Sequence, residues 1–155
     1  MNITSGTIIV SAFLTLVFIF LHQLYLKYRS YTPFSSDAIA NESYFFLQMI
    51  ARDYYMEFRG FKVEGEEEFA RKLRMVSRQI WGVTKTKNEW YYYQLRNLLH
   101  KYHKELLIAY NRFNALRHMA VLDFDELEKT IGYTNEVLNK ILIDFQNDFY
   151  HDRAS

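Results

Sequence analysis

Lysine, threonine and aromatic residues follow one another closely in the middle of the chain, a combination typical of sites that bind phosphate groups and bases. Residues 84–93 read Thr-Lys-Thr-Lys-Asn-Glu-Trp-Tyr-Tyr-Tyr. Lysines pair with phosphate charge, hydroxyl groups can hydrogen-bond to phosphate oxygens, and an exposed indole can stack on a base. A helix that begins near residue 88 would add free backbone N–H groups. No P-loop or other nucleotide-binding motif accompanies these residues.

The candidate ligand contacts are seven cations and one tryptophan. They are Arg74, Arg78, Lys85, Lys87, Trp90, Arg96, Lys101 and Lys104. The cations would hold phosphates and Trp90 would stack on a base. The expected ligand is therefore anionic and of the nucleotide class, and duplex nucleic acid is not expected.

Catalytic and metal-binding chemistry is not expected. The chain has no cysteine, which excludes disulfides, thiolate nucleophiles and zinc–thiolate sites. His100 and His103 have a spacing that two ligands on a helix could use, but no third ligand accompanies them, and Lys101 and Lys104 would repel a cation. The sequence predicts a non-enzymatic protein without a metal or cofactor.

The net charge of +1 conceals a strong segregation of charge along the chain. Residues 71–117 hold eleven cations and two acids, a net charge of +9, whereas residues 30–70 and 118–155 each hold three cations and eight acids. Two explanations are open. The acidic segments could pack beside the basic one and neutralise it, or a basic surface could remain open to a phosphate-bearing partner.

One long helix is predicted to position most of the candidate residues, within residues 85–120 and behind a basic loop at residues 82–88 that ends in a Thr86 or Asn88 cap. Apolar residues recur there in steps of three and four, which keeps one apolar face through roughly eight turns. They are Tyr91, Leu95, Leu98, Tyr102, Leu106, Ala109, Phe113, Leu116 and Ala120. Cations occupy the other faces.

A membrane anchor is predicted at the N-terminus. Residues 8–26 carry no charge and are long enough to span a hydrocarbon core of ~30 Å. No cation precedes them and no small-residue cleavage site follows, which favours a retained anchor over a signal peptide. Lys27 and Arg29 follow directly, so the positive-inside rule places the N-terminus outside and the C-terminal body in the cytoplasm, at the inner (cytoplasmic) membrane.

One face of this anchor carries Thr7, Ser11, Thr15, Phe18 and His22. Small hydroxyl residues allow helices to approach closely and to hydrogen-bond across an interface, or they bond to their own backbone. Two expectations follow: either this face mediates self-association of the anchor, or its hydroxyl groups bond within their own helix.

Four further helices are predicted around the central one. They cover residues 37–58 (capped by Ser36), 66–81, 123–132 (capped by Asp123 and ended by Gly132) and 134–150. The predicted fold class is all-α: an N-terminal transmembrane anchor at 1–29, a hinge at 30–36 and a cytosolic domain of about five helices at 37–155.

The anchor at residues 8–26 and the basic, aromatic stretch at 85–104 together give a plan that resembles the small membrane effectors of type III CRISPR defence. Members of that class bind cyclic oligoadenylates. The resemblance implies a helical body that forms a homo-oligomer around a cyclic nucleotide and then alters the membrane in antiviral defence. It assigns no particular residue to the ligand.

The favoured hypothesis is a membrane-anchored, cytosolic helical sensor that self-associates and binds an anionic, nucleotide-type ligand. One alternative is a structural subunit or assembly factor of a larger membrane complex. Another is that the basic face lies on anionic lipid headgroups.

Overall fold

The computed structural model describes residues 3–30, 34, 36–86 and 88–150, and the regular structure among them is entirely helical. The predicted all-α fold class is therefore confirmed. The chain divides into two compact units, Met1–Ser35 and Ser36–Ser155.

Helix α1, Ile3–Ser30, forms the first unit. Its segment Thr4–Gln23 has a mean hydropathy of 2.2 and is 0% buried, so by length and composition α1 can cross a membrane, although a cleaved signal sequence meets the same criteria. Thr15 donates its hydroxyl hydrogen bond to the carbonyl of Ser11 at 2.8 Å, within α1 itself. In the predicted hinge, residues 31–33 and 35 lie outside the described residues.

The second unit contains five α-helices, in agreement with the predicted number. They are α2 (Ala38–Asp53, continued by a π-helical segment at Tyr54–Phe58), α3 (Glu66–Thr86), α4 (Glu89–Lys101), α5 (His103–Arg117) and α6 (Phe124–Tyr150). Several boundaries nevertheless differ from the predicted ones, and the differences determine where the candidate residues lie.

Helix α6 packs against α3, α4 and α5, while α2 packs against α4 and α5. Tyr91 near the start of α4 contacts the ring of Phe149 near the end of α6, and Arg112 near the end of α5 contacts the ring of Tyr133 in the first half of α6. Helices α4 and α5 therefore both run antiparallel to α6. Most of the predicted apolar faces form the core between these helices. Exceptions are Ile39 and Ala120, which are exposed.

The C-terminal region is one helix, so the predicted stop at Gly132 is wrong. Glycine inside a helix costs only about 1 kcal/mol relative to alanine. Leu127 and Ile131 before it are buried on the same side as Leu138 and Ile141 after it. Their burial offsets the cost, and the helix continues through Gly132. The predicted cap at Asp123 is confirmed, because its carboxylate accepts hydrogen bonds from the backbone N–H groups of Asp125 and Glu126.

The predicted single helix over residues 85–120 is also wrong, because it is divided at Tyr102. This residue has φ −101° and ψ 8°, and α5 ends at Arg117. Apolar periodicity does not reveal the break. Tyr102 is itself buried, as are Leu98 before it and Leu106 after it, so both helices present their apolar residues to the same core.

Helix α3 extends to Thr86, through most of the predicted loop at 82–88. The hydroxyl groups of Thr84 and Thr86 donate hydrogen bonds to the carbonyls of Trp81 and Val83, three residues earlier. These bonds satisfy carbonyl groups that a helix end otherwise leaves unpaired. Among the described residues, only Asn88 lies between α3 and α4.

The N-cap of α2 is Asp37 rather than the predicted Ser36. Its carboxylate accepts a hydrogen bond from the backbone N–H of Ala40 at 3.1 Å and lies 2.8 Å from Nε2 of His100 on α4. The hydrogen bond from His100, followed by that from Ala40, holds the pKa of Asp37 below its ordinary value. At its other end the predicted helix changes to π-helical hydrogen bonding over Tyr54–Phe58. Gly60 follows with φ +98°, a conformation that favours glycine.

Replacing Asp37 should therefore destabilise the helical domain. D37A removes the N-cap and the partner of His100, and we expect the free energy of unfolding to fall by about 1 kcal/mol. Urea unfolding of the full chain in detergent, followed by circular dichroism, measures this loss. S36A is the matched control and should change the free energy by less than about 0.5 kcal/mol. Equal losses in the two variants would contradict the assignment of the cap.

Candidate functional site

A groove of about 350 Å³ lies where the C-terminal half of α3, the start of α4 and the end of α6 meet. It is lined by Arg78, Gln79, Gly82, Val83 and Thr86 of α3, Tyr91 of α4, and Phe145 and Phe149 of α6. Its volume lies within the ~300–1,000 Å³ of small-molecule sites. A bound ligand would contact side chains of α3 on one side and aromatic rings of α4 and α6 on the other.

Stacked aromatic rings form one wall of the groove. The rings of Phe145 and Phe149 lie 5.0 Å apart at 30°, and those of Tyr91 and Phe149 lie 5.7 Å apart at 19°. Trp90 meets Tyr91 edge to face at 5.1 Å and is 39% exposed. A planar ring of a ligand could extend this stack, as bases do on aromatic platforms.

Two hydrogen bonds fix the start of α4 beside α3. Asn88 caps α4 by accepting from the backbone N–H of Trp90 at 2.9 Å, and the hydroxyl of Tyr92 donates to the carbonyl of Thr84 at 2.9 Å. The cap at Asn88, one of the two predicted, is confirmed. It also engages N–H groups that were expected to be free for phosphate, because Asn88 accepts from Tyr91 as well, at 3.5 Å.

The polar groups of the groove come from α3. Arg78 is exposed, and among the described residues no carboxylate lies within 4.0 Å of its guanidinium. The side-chain oxygen of Gln79 is buried and has no hydrogen-bond partner in the described part of the chain. Buried polar atoms normally have a partner, and an unpaired one points to a bound molecule or water. The groove thus offers a positive charge and an aromatic wall, and Gln79 lines it with its side-chain oxygen buried.

Two predicted contact residues lie at this groove, and two more lie elsewhere on α3. Arg78 lines it, and Trp90 packs against the rings of Tyr91 and Phe149 in its wall. Arg74 and Lys85 are exposed on α3, one turn before and two turns after Arg78. Lys87, also predicted, lies outside the described residues.

The other three predicted contacts are not in the groove lining. Arg96 is half-buried on α4 and adds a small electrostatic contribution to the lowered pKa of Asp37. Lys101, at the end of α4, donates a hydrogen bond to Asp144 on α6 at 2.8 Å. Lys104 is exposed on α5, beyond the break at Tyr102. The structure therefore separates residues that the sequence placed together.

Acidic residues do neutralise part of the basic segment, as the first of the two explanations predicted. Asp144 pairs with Lys101 and Asp53 with Arg117, whereas Glu105 of the basic segment itself pairs with Lys140. His100 and His103 each face one acid, Asp37 and Glu42. No group of three metal-ligating side chains occurs among the described residues.

Asp144 joins α4 to α6 through two hydrogen bonds, from Lys101 and from the hydroxyl of Tyr102 at 2.6 Å. Burial raises the pKa of Asp144, but these two bonds outweigh it and hold the pKa below its ordinary value. Burial and the same bond raise the pKa of Tyr102. This contact maintains the position of α4, and so of the groove's aromatic wall.

Sequence reasoning missed Gln79, Tyr91, Phe145 and Phe149 as groove residues, because their types and spacing also fit a helical core. One usable signal was the phenylalanine pair at i and i+4 at the end of α6, where a helix has few neighbours left to cover it.

No protein-family model, curated protein or solved structure matches the chain. The class that the fold defines is accordingly an all-helical domain that follows one helix apolar enough to span a membrane.

Removing the charge of Asp144 should alter the pH dependence of stability. Since its pKa is lowered by folding, its contribution is present above the ordinary value of 3.8 and is lost as the pH falls through the folded-state pKa. D144N should lower the free energy of unfolding by about 1 kcal/mol at neutral pH. The gap between wild type and variant should close in strong acid.

Urea titrations of the full chain at neutral and acid pH measure that gap. D148N, a change of the same type on an exposed position of α6, is the control and should show a much smaller difference at neutral pH. A D144N gap that persisted in acid would show that the carboxylate charge is not what stabilises the contact.

Proposed function

We propose that this chain is a single-pass membrane protein whose cytoplasmic helical domain binds an anionic, nucleotide-class ligand in the groove between α3, α4 and α6. The observation that carries the proposal is Arg78, which has no carboxylate within 4.0 Å in the described part of the chain, beside a stacked aromatic wall. A guanidinium binds a phosphate with two parallel hydrogen bonds, and an aromatic ring binds a base.

The buried side-chain oxygen of Gln79 adds a means of recognition. A rotation of the side chain that exposes this oxygen would let it accept a hydrogen bond from an exocyclic amino group of a base, a contact that discriminates against bases without that donor. Phosphate, base edge and base face would then meet three different side chains of one groove. Inorganic phosphate alone could use only Arg78 and should bind much more weakly.

Self-association is part of the proposal because of the groove's size. A volume of about 350 Å³ suits one nucleotide unit rather than several. A cyclic oligonucleotide repeats that unit, so several copies of the domain would each bind one unit of a symmetric ligand. Bringing the copies together would bring their α1 helices together in the membrane, where a response in antiviral defence could follow.

The resemblance to membrane effectors of type III CRISPR defence is what makes cyclic oligoadenylates the first ligands to test. The orientation, with the N-terminus outside and the helical domain in the cytoplasm, rests on Lys27 and Arg29 after the apolar run.

A second function, docking onto a larger membrane complex, is favoured by an apolar tip of the domain. Around the end of α2 and the loop before α6, five large apolar side chains are exposed: Tyr55, Met56, Met119, Val121 and Phe124. Val121 is 84% exposed. Exposed apolar clusters often mark protein contacts. A subunit of this kind would be indifferent to nucleotides.

Binding can be measured on the full chain in phosphatidylcholine nanodiscs. The chain has two tryptophans, Trp81 and Trp90, so W81F leaves Trp90 as the reporter of the groove. We expect quenching of Trp90 by cyclic or linear oligoadenylates, and native mass spectrometry of the same sample should give the number of chains per ligand. Inorganic phosphate is the reference for binding by charge alone.

R78A should weaken this binding by about 10- to 100-fold, the effect of losing a hydrogen bond from a charged group. R52A removes an exposed arginine of α2 and is the matched control, with an expected change of less than about twofold. Equal affinities in wild type and R78A would show that the ligand does not bind in this groove. A chain that binds no oligoadenylate and remains monomeric would contradict the proposed function.

A further inference from the structure

Five exposed side chains form a straight line along the outer surface of α3. They are Arg71, Arg74, Arg78, Trp81 and Lys85, and we call them the α3 basic stripe. Their spacing of three, four, three and four residues confines them to an arc of about 80° at 100° per residue. At 1.5 Å per residue the stripe is about 21 Å long.

The stripe is basic and lacks ion pairs. Among the described residues, no carboxylate lies within 4.0 Å of its four cations, whereas neighbouring Lys72 pairs with Glu68 at 2.8 Å. Glu67 precedes Arg71 by one turn, so the basic character begins at Arg71. Lys85 lies 4.9 Å above the ring of Trp81, which leaves that cation beside the indole rather than beside an acid.

Trp81 is 58% exposed in the middle of these cations, and Met75, 42% exposed, lies next to the line. An indole has an apolar body and a polar N–H, and it is favoured at the boundary between lipid and water. A line of cations with an indole among them, on a convex helix surface, fits a flat anionic surface better than it fits a small ligand.

We infer that the α3 basic stripe docks on the anionic lipid surface of the membrane that α1 spans. This inference rests on the membrane span in the proposed function and does not depend on the ligand of the groove. Lys and Arg side chains near such a surface each strengthen binding by about fivefold. Trp81 would insert between the headgroups.

The connection between α1 and α2 makes this docking effective. Helix α1 ends at Ser30 and α2 begins at Ala38, and the seven residues between them span at most about 25 Å. Docking of a tethered domain is an intramolecular step at a high effective concentration. A stripe of four cations therefore suffices, although a free domain with the same stripe would bind weakly.

The test uses the full chain in vesicles whose acyl chains are brominated, which quench tryptophan at the membrane surface. W90F leaves Trp81 as the only tryptophan, and W81F leaves Trp90. We expect quenching of Trp81 in vesicles of phosphatidylcholine and phosphatidylglycerol, with little quenching in phosphatidylcholine alone. High salt should reverse it, because salt screens surface charge. Trp90 should be quenched in neither.

Charge reversal locates the effect. R71E/R74E in the W90F background should reduce the ratio of docked to free domain by at least about 25-fold, because each lost cation weakens binding by about fivefold. R52E/K62E, two exposed cations away from the stripe with the same total charge change, is the matched control and should retain the quenching. Arg78 is left intact because it also lines the groove.

The outcomes separate this inference from the proposed function. Flotation of the chain with phosphatidylcholine vesicles tests insertion of α1, and its failure would overturn both. A chain that floats but shows equal Trp81 quenching in both lipid mixtures, or equal quenching in the two double variants, overturns the docking alone. A Trp81 signal that responds to single-stranded RNA and not to anionic lipid would assign the stripe to nucleic acid and overturn it too.

Discussion

The second unit depends on burial of the apolar face of α6. Its buried residues extend from Leu127 to Phe149 of the 27-residue helix Phe124–Tyr150, and α3, α4 and α5 all pack against α6. A helix of that length extends about 40 Å, and covering it from one side takes both α4 and α5. The regular helix is interrupted at Tyr102 between those two helices, and the hydroxyl of Tyr102 donates a hydrogen bond to Asp144. Tyr102 thus both separates α4 from α5 and connects this point of the chain to α6.

The same packing decides which cations remain available. Where α4 and α5 lie along α6, acids of each partner meet cations of the other, as Lys101 meets Asp144 and Lys140 meets Glu105. Among the described residues, α3 packs chiefly against α6 and α4, and the cations Arg71, Arg74, Arg78 and Lys85 on its exposed surface have no carboxylate within 4.0 Å. Neutralisation by the acidic segments, the first explanation for the segregated charge, therefore holds for only part of the basic segment.

The sequence predicted the helical class, most core positions and the caps at Asn88 and Asp123, because periodicity and capping are local signals. It could not predict the break at Tyr102, which leaves the apolar period unchanged, or the passage of α6 through Gly132, which depends on burial on both sides. Those errors propagate to the site. Lys104 lies beyond the break, while Arg96 and Lys101 lie on α4 with Trp90 but outside the groove lining. The groove residues Gln79 and Phe149 come from two helices and are 70 positions apart in the sequence.

Arg78 belongs both to the groove and to the α3 basic stripe, and this sharing has a thermodynamic consequence. A phosphate held in the groove and a lipid headgroup beneath the stripe would compete for one guanidinium. Binding at either place must then weaken binding at the other by the same factor, because coupling between sites is reciprocal. Ligand binding would thus loosen the domain from the lipid surface, which frees it to meet other copies. If both proposals hold, one shared side chain would couple a resting state on the membrane to an associated state with ligand.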